Sequence, residues 1–305
     1  MIYTVTCNPA VDYVVRLENL DLGELNRSQA DYKEAGGKGI NVSRVLARLG
    51  EESTALGFIG GFTGTFITDY LSKVGIRHQF VSLEEDTRIN VKLKADGEET
   101  EINGKSPEIT NEEYQHLLRQ LKELKEGDIV VLAGSLPKSL PSNTYQSIVS
   151  QLNDQGVTAI LDTSGVPLKE AIQASPAFIK PNHHELAELM DEAVQNDQDV
   201  IRLAKKLRDT YHIDHILVSM AKDGAIYIGE AGVWKLQAPE GKAIHSVGAG
   251  DSAVAGFIYR WQQTKNAEEA SKYAVAAGSA TAFSKTLCTK EEVESLLSQV
   301  SVEKY

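Results

Sequence analysis

The chain has 305 residues, of which 42% are hydrophobic and 24% are charged, as in ordinary globular proteins. This composition excludes collagen, a coiled coil or disorder as the main state. The formal net charge of −12 argues against a nucleic-acid-binding surface. No apolar run approaches the roughly 20 residues of a membrane-spanning helix, and no signal-peptide pattern opens the sequence. We therefore expect a cytoplasmic protein without a membrane or nucleic-acid partner.

Short apolar runs alternate with helical patterns along most of the chain. The predicted strands are 2–7, 54–59, 129–133, 158–161, 177–179, 216–220 and 225–228. The predicted helices between them are 40–49, 66–74, 111–124, 143–153, 184–190 and 200–211. From residue 251 onward the strand signal stops, and 251–263, 267–283 and 290–300 are predicted as three successive helices. This order predicts an α/β fold whose largely parallel sheet is covered by helices on both faces.

Two segments interrupt this alternation. Residues 11–17 alternate in part, and residues 87–95 alternate strictly between a polar face and an apolar face. Asp96-Gly97 is typical of a tight turn before 100–102. Half-polar antiparallel strands of this kind indicate either a small separate sheet that covers a cleft or a hairpin at the edge of the main sheet.

A glycine-rich turn, Gly36-Gly37-Lys38-Gly39, precedes the predicted helix 40–49. Glycines at a helix start let backbone N–H groups approach an anion, and Lys38 adds a positive charge. A Walker A loop would have Ser or Thr after the lysine, where this chain has Gly39. The turn is therefore an anion-binding site or simply a helix cap.

Residues 248–253 read GAGDSA and open the C-terminal helical region. They fit the dinucleotide-binding pattern, but that fingerprint follows a first strand and has an acidic residue about 20 positions later, where Ser271 stands here. A nicotinamide or flavin enzyme is therefore disfavoured. Consecutive N–H groups at a helix start suit negative charge on a phosphate. Asp251 is either a helix cap or a general base, and a base beside an anion site is what phosphoryl transfer needs.

Further polar residues follow predicted strands. Asn182 and Glu185 lie at the turn into the helix 184–190, with oxygen ligands that suit magnesium and with the spacing of a capping box. Asp12, Ser135 and Ser219 also lie where strands end. Because ligands bind at the carboxyl ends of strands in open α/β sheets, these residues indicate a ligand cleft.

Together these motifs resemble the ribokinase-like carbohydrate kinases of the phosphofructokinase B type. They occur in order along the whole chain: TxNPAVD at 6–12, AGGKGxN at 35–41, TRIN at 87–90, GSLP at 134–137, KPNxxEL at 180–186 and VGAGDS at 247–252. The resemblance implies one three-layer α/β/α domain over residues 1–305, with a small β-sheet lid built from segments at about 12–33 and 79–104. In this family, lid sheets often mediate dimers, so we also expect a homodimer through the lid.

The resemblance implies an enzyme that transfers a phosphoryl group from ATP, with Mg²⁺, to a sugar phosphate. The sequence is most similar to family members that phosphorylate fructose 1-phosphate at its 6-hydroxyl. Tagatose 6-phosphate and fructose 6-phosphate are the alternative acceptors. A non-catalytic sugar-phosphate-binding regulator is a distant alternative.

The resemblance also implies a role for each candidate residue. Asp251 would be the general base, and the N–H groups of Gly248, Ala249 and Gly250 would stabilise the transferring phosphoryl group. Sugar hydroxyls would be held by Asp12, Gly37 and Asn41. The phosphate already on the sugar would be held by Arg27, Lys38, Arg88 and Ser135. Magnesium would be held, through water, by Asn182 and Glu185. The ATP side would be lined by Lys180, Asn182, Ser219, Gly224, Ser246, Gly248, Gly250, Ala277, Gly278 and Ser279.

Local features support a phosphorylated acceptor and mark two departures from the family. Lys38 and Arg88 place positive charge in an otherwise acidic chain, although surface salt bridges would also explain such residues.

Ala221 stands where the family often has glycine, which affects the expected ATP-loop geometry. His245 stands where Asp, Asn or Ser is commoner, while Ser246 retains a hydroxyl for a phosphate contact.

Overall fold

A computed structural model describes residues 1–244 and 246–305, so the departure noted at His245 lies outside the described residues. The strands are β1 (Ile2–Thr6), β2 (Ala10–Arg16), β3 (Ala30–Gly36), β4 (Thr54–Gly60), β5 (Arg77–His78), β6 (Val81–Leu83), β7 (Ile89–Ala95), β8 (Glu98–Asn103), β9 (Ile129–Ala133), β10 (Thr158–Asp162), β11 (Phe178–Ile179), β12 (His215–Ser219), β13 (Ala225–Gly229), β14 (Gly232–Leu236) and β15 (Val302–Lys304). The helices are α1 (Lys38–Leu49), α2 (Gly61–Lys73), α3 (Asn111–Lys122), α4 (Thr144–Asp154), α5 (Gly165–Ala171), α6 (His183–Met190), α7 (Asp197–Tyr211), α8 (Ala249–Thr264), α9 (Ala267–Phe283) and α10 (Lys290–Leu297).

An 11-stranded main sheet forms the centre of the molecule, in the order β15-β14-β13-β12-β11-β10-β9-β1-β4-β5, with β6 beside β4. In this sheet β12, β11, β10, β9, β1, β4 and β5 run parallel to one another. The strands β13, β14 and β15 extend the sheet by antiparallel pairing. Parallel neighbours place their carboxyl ends at the same edge. The polar residues that follow these strands therefore meet there, as expected.

Helices cover both faces of the main sheet because its strands are apolar on both sides. In β9, Val130 and Leu132 pack into one core, whereas Ile129, Val131 and Ala133 pack into the other. The first core is closed by α3 to α7 and the second by α1, α8, α9 and α10. The predicted three-layer α/β/α architecture is confirmed.

A separate four-stranded sheet, here called the small sheet, has the order β3-β2-β7-β8. It is not a hairpin at the edge of the main sheet. The expectation of antiparallel strands is only partly right, since β2 and β7 pair in parallel. Both strands continue from the carboxyl edge of the main sheet, β2 after β1 and β7 after β6, and so run in the same direction.

In the small sheet the polar face is more buried than the apolar face. Asn90 and Lys92, on the polar face, are only 8% and 7% exposed. On the apolar face Ile89 and Ile102 are 40% and 56% exposed. The polar side therefore faces the interior of the molecule, and the apolar side faces outward.

Tertiary pairing adds elements that local pattern did not predict. The prediction that no strand follows residue 251 is wrong, because β15 pairs with β14 at the edge of the main sheet. The sequence analysis also missed the strands β3, β5, β6 and β14 and the seven-residue helix α5. Three residues of β15 carry too little periodicity to be recognised without their partner strand. Among the described residues, no helix is long and apolar enough to cross a membrane.

Candidate active site

Asp251 and Asn41 meet where α8 packs against α1. Asp251 lies in the first turn of α8 and is 5% exposed. Asn41, in the first turn of α1, donates a hydrogen bond from Nδ2 to Asp251 Oδ2 over 2.9 Å. The two residues are 210 positions apart in the chain, so only the tertiary packing joins them.

The surroundings of Asp251 raise its pKa to about 6. Burial contributes most of this shift, and the carboxylate of Asp162 adds to it. Lys38, the Asn41 amide and Lys180 act in the opposite direction. Asp251 is therefore ionised at neutral pH and is a stronger base than an exposed aspartate.

Asp162 ends β10 and holds two lysines at the carboxyl edge of the main sheet. Its Oδ1 lies 3.4 Å from the Nζ atoms of both Lys38 and Lys180, and it is 3% exposed. Burial alone would raise the pKa of Asp162, but Lys180 and Lys38 outweigh it and hold the pKa below its usual range. The result is a fixed pair of positive charges beside Asp251.

The N-terminus of α8 offers backbone N–H groups to an anion. Gly248 is the N-cap, with φ +80°, and has no side chain to cap the helix. The Ala249 N–H donates to the Ser246 carbonyl over 3.3 Å. Within 1–244 and 246–305, no acceptor pairs with the N–H groups of Gly250 and Asp251. A Cβ on Gly250 would lie 3.1 Å from Lys180 Nζ, so glycine lets this ammonium group approach the helix start.

Asp12 lies on the inward face of the small sheet. It accepts a hydrogen bond from Asn90 Nδ2 over 3.1 Å, and its Oδ2 lies 3.7 Å from Lys92 Nζ. Burial raises the pKa of Asp12 in spite of both partners. A Cβ on Gly36 would lie 2.5 Å from Asp12 Oδ2, so a side chain at this last position of β3 would displace the Asp12 carboxylate. Gly37, the N-cap of α1, follows directly.

Arg88 and Ser135 lie at the junction between the small sheet and β1. The Arg88 guanidinium donates to the Asn8 carbonyl over 3.1 Å, and Asn8 Nδ2 donates to Ser135 Oγ over 3.2 Å. Burial lowers the pKa of Arg88. Arg27, by contrast, lies exposed in the connection between β2 and β3. No hydrogen bond or ion pair within the described part of the chain joins Arg27 to the other candidates.

Asn182 and Glu185 form a capping box at the start of α6. Asn182 Oδ1 accepts from the Glu185 N–H over 2.9 Å, and Glu185 Oε2 accepts from the Asn182 N–H over 2.8 Å. The capping interpretation is thus confirmed, while the magnesium interpretation stays a prediction. Across the described residues, no three His, Cys, Asp or Glu side chains are grouped to hold a metal. These donors fit an ion held mainly by water and phosphate oxygens.

The remaining ATP-side candidates lie around two loops and α9. The Ser219 N–H donates to the Pro181 carbonyl over 2.9 Å, which brings the ends of β11 and β12 together. Gly224 closes the short 3₁₀ turn after β12, and Ala221 in that turn has φ +52°. A Cβ on Gly278 would lie 3.2 Å from the Ala249 carbonyl oxygen, so α9 packs closely on the start of α8. Further candidates are Ser246, which is exposed, Ala277, which is buried, and Ser279, which is half-buried.

Asp162 was missed by the sequence analysis. It directly follows the predicted strand 158–161, so the rule that selected Ser135 and Ser219 would also have selected it. Its burial and its two lysine partners appear only when β10, β11 and α1 are packed together.

Comparison with known proteins supplies the family. The family model described as pfkB family carbohydrate kinase matches residues 5–293. This chain belongs to the pfkB family of carbohydrate kinases. It is 48% identical over 302 residues to 1-phosphofructokinase from Bacillus subtilis, covering 99% of each chain. It is 37% identical over 281 residues to tagatose-6-phosphate kinase from Staphylococcus epidermidis, covering 91% of each.

The fold of this pfkB-family kinase also matches a solved structure. Phosphofructokinase-2 from Escherichia coli, in complex with substrates and products, superposes with a TM-score of 0.93 at 28% identity, over 97% of this chain and 98% of that one. The E. coli protein has also been solved in a tetrameric inhibited form. As a family member, the chain is a phosphotransferase with an alcohol acceptor, which binds a sugar phosphate and ATP.

Proposed function

We propose that this kinase transfers the γ-phosphoryl group of ATP to the 6-hydroxyl of fructose 1-phosphate. The products are fructose 1,6-bisphosphate and ADP. The 6-hydroxyl oxygen forms the new bond to phosphorus, the bond to the β–γ bridging oxygen breaks, and the hydroxyl proton leaves to a base. The 48% identity to 1-phosphofructokinase from Bacillus subtilis supports this acceptor.

Asp251 is the proposed base, and its surroundings carry the proposal. A buried carboxyl with its pKa raised to about 6, beside Asn41 and two lysines, can accept a proton at neutral pH. The N–H groups at the start of α8 lie next to it. With Lys180, they would stabilise negative charge on the transferring phosphoryl group.

The acceptor would lie between the small sheet and the main sheet, with the small sheet acting as a lid. Asp12 and Asn41 would hold sugar hydroxyls, together with the backbone of Gly37. Lys38, Arg88 and Ser135 would hold the phosphate already on the sugar. The family resemblance assigns Arg27 to the same phosphate. In the described part of the chain, Arg27 lies exposed between β2 and β3 and is not joined to Lys38, Arg88 or Ser135 by a hydrogen bond or ion pair.

Mg²⁺ is proposed as the cofactor, held through water by Asn182 and Glu185. When bound with ATP, the ion would neutralise charge on the phosphate oxygens. Glu185 contributes negative charge near Lys38, and its second carboxylate oxygen is not used by the capping box. The nucleotide itself would lie along Ser219, Gly224 and the facing part of α9.

We propose that the kinase is located in the cytoplasm, since ATP is available there.

Tagatose 6-phosphate is the second candidate acceptor, supported by the 37% identity to tagatose-6-phosphate kinase. A coupled assay of ADP release with fructose 1-phosphate, tagatose 6-phosphate and fructose 6-phosphate separates the candidates. We expect the highest kcat/KM with fructose 1-phosphate. A higher value with tagatose 6-phosphate would reassign the acceptor, and no ADP release with any of the three would contradict the proposed function.

A homodimer through the small sheet is the proposed assembly. The outward face of that sheet carries apolar side chains from β2, β7 and β8, of which Ile89 and Ile102 are exposed in the single chain. A second copy of the sheet would cover these side chains. The tetrameric form of phosphofructokinase-2 from E. coli shows that oligomers occur among similar proteins.

A further inference from the structure

Arg44 is a buried arginine next to the candidate active site that no motif singled out. It lies on α1, one turn after Asn41, and is only 5% exposed. Its Nη1 donates to the Ala35 carbonyl over 3.2 Å and to Asn41 Oδ1 over 3.1 Å. Its Nη2 lies 3.5 Å from Glu34 Oε1. The guanidinium is therefore anchored on the end of β3 and directed at the Asn41 amide.

The chemistry of the guanidinium determines which way the Asn41 amide points. A guanidinium has N–H donors and no acceptor, so the Asn41 atom that faces Arg44 is the carbonyl oxygen. The NH₂ group of the same amide must then face Asp251, where it donates over 2.9 Å.

We propose that Arg44 is a positioning residue that makes the Asn41 side chain a donor, and never an acceptor, toward Asp251. This inference rests on the proposed role of Asp251 as the base. Without Arg44 the amide could rotate when Asp251 is protonated and accept a hydrogen bond from the acid. That arrangement would stabilise the protonated form, which cannot take a proton from the sugar hydroxyl.

The pH dependence of activity tests the proposal. Among the residues that the structure describes, the charged groups that act on Asp251 are Asp162, Lys38 and Lys180, and all three are unchanged in an Arg44→Met variant. We expect the acid limb of kcat/KM for fructose 1-phosphate to move up by about 0.5–1 pH unit, the effect of one added hydrogen bond to the acid form. Titration of the substrate's own phosphate is common to both enzymes and cancels in the comparison.

A double-mutant cycle separates positioning from a direct effect of the Arg44 charge. In an Asn41→Ala background the Arg44→Met change should no longer move the acid limb. If the limb still moves by the same amount, Arg44 acts through its charge and the proposal is wrong. Arg44→Lys keeps a charged donor without an acceptor and should restore the limb at least in part.

Two further variants guard against a purely structural effect. Tyr70→Leu removes only the ring over which the guanidinium lies, at 5.1 Å, and should lower stability without moving the limb. If Arg44→Met does not fold, Arg44→Gln fills most of the space and can still donate to Ala35, while its amide no longer dictates the orientation of Asn41. The limb should then move upward, and an unchanged limb would overturn the proposal.

Failure of this proposal can be told apart from failure of the proposed function. NMR titration of ¹³Cγ-labelled aspartate, with the Asp251 resonance assigned by its loss in Asp251→Asn, follows the Asp251 pKa without any activity. If Asp251→Asn keeps its turnover, the role of Asp251 as base is wrong. If turnover is lost but the Asp251 titration is the same in wild type and Arg44→Met, only the role of Arg44 is wrong.

Discussion

Asp251 is a buried carboxyl group on which opposing influences act. Burial and Asp162 weaken its acidity, while Lys38, Lys180 and the Asn41 amide favour its ionised form. The balance leaves a carboxylate at neutral pH whose pKa is higher than that of an exposed aspartate. A general base is most effective in this range.

Replacing Asp251 by asparagine should lower kcat by about 10²–10⁴-fold, the usual contribution of a general base. Binding of fructose 1-phosphate should change little, because the amide has nearly the same shape. Turnover and calorimetric binding measure the two effects separately. Asp69→Asn, on the exposed side of α2, is the control and should leave both unchanged. Near-normal turnover in Asp251→Asn would remove this residue from the mechanism.

The activity should also fall in acid with the titration of Asp251. Since only the ionised carboxylate accepts a proton, kcat/KM should decline about tenfold per pH unit below a pKa of about 6. Initial rates from pH 5 to pH 8 measure this limb. Binding of fructose 1-phosphate over the same range separates the titration of its own phosphate, whose second pKa is roughly 6. A profile that stays flat to pH 5 would mean that an ordinary carboxyl, or none, is responsible.

Arg88→Ala should raise the KM for fructose 1-phosphate by about 10–100-fold, the loss expected for one charge-assisted contact to a phosphate. The KM for ATP should change far less, because Arg88 lies at the base of the small sheet. Steady-state kinetics with each substrate varied in turn test this. Arg77→Ala, which removes only a surface pair with Glu52, should alter neither constant. Equal increases in both KM values would contradict the assignment.

The helix starts at the carboxyl edge of the main sheet differ in how they are capped. The N-terminus of α6 is capped by its own residues Asn182 and Glu185. The helices α1 and α8 begin at Gly37 and Gly248, which have no side chain to satisfy the first N–H groups. At α1 the Ile40 N–H already donates to Thr6 Oγ1 over 3.1 Å. At α8 the N–H groups of Gly250 and Asp251 have no acceptor within the described residues, so this start is left for an external acceptor, with Lys180 beside it.

The turn after β12 contains an alanine in a conformation that favours glycine. Ala221 has φ +52°, which costs an alanine roughly 1 kcal/mol. Ala221→Gly should therefore raise the free energy of unfolding by about 0.5 kcal/mol, after the entropy of the unfolded glycine is subtracted. Urea denaturation measures the change. Ala187→Gly, within α6, should instead lower stability by about 1 kcal/mol, and a loss of similar size in Ala221→Gly would be inconsistent with this account.

At the scale of the molecule, the small sheet presents its polar face to the main domain and its apolar face outward. A cavity of about 360 Å³ lies between its far end and the main domain, lined by Arg16 and Lys94 on one side and by Ile244 and Lys285 on the other. None of its described lining residues is a candidate site residue.

If the small sheet mediates a homodimer, Ile102→Asp should dissociate it, because a carboxylate would have to be buried at the interface. Sedimentation equilibrium across a range of concentrations should show a dimer for the wild type and a monomer for the variant. Asn103→Asp, on the opposite face of β8, is the matched control and should remain dimeric. A wild-type protein that sediments as a monomer at all concentrations would contradict the proposed assembly.

Much of the fold follows from local pattern. Apolar runs such as Ile129–Ala133 predict strands buried on both faces, and the strand–helix order then requires parallel pairing. The motifs around Gly37, Asn182 and Asp251 were expected at strand or helix ends, and all lie at the carboxyl edge of the main sheet. These features depend on residues close together in sequence, so periodicity and turn chemistry are sufficient to identify them.

Other features depend on groups that are distant in sequence and were decided only by packing. The strand β15 exists because β14 supplies its hydrogen bonds, and the inward direction of the polar face of β7 depends on where the small sheet lies. The partners of Asp251 come from α1, β10 and the end of β11. The acidity of that carboxyl is set by burial and by charges from distant parts of the chain, of which Lys38 is the farthest in sequence, and no local pattern can encode this.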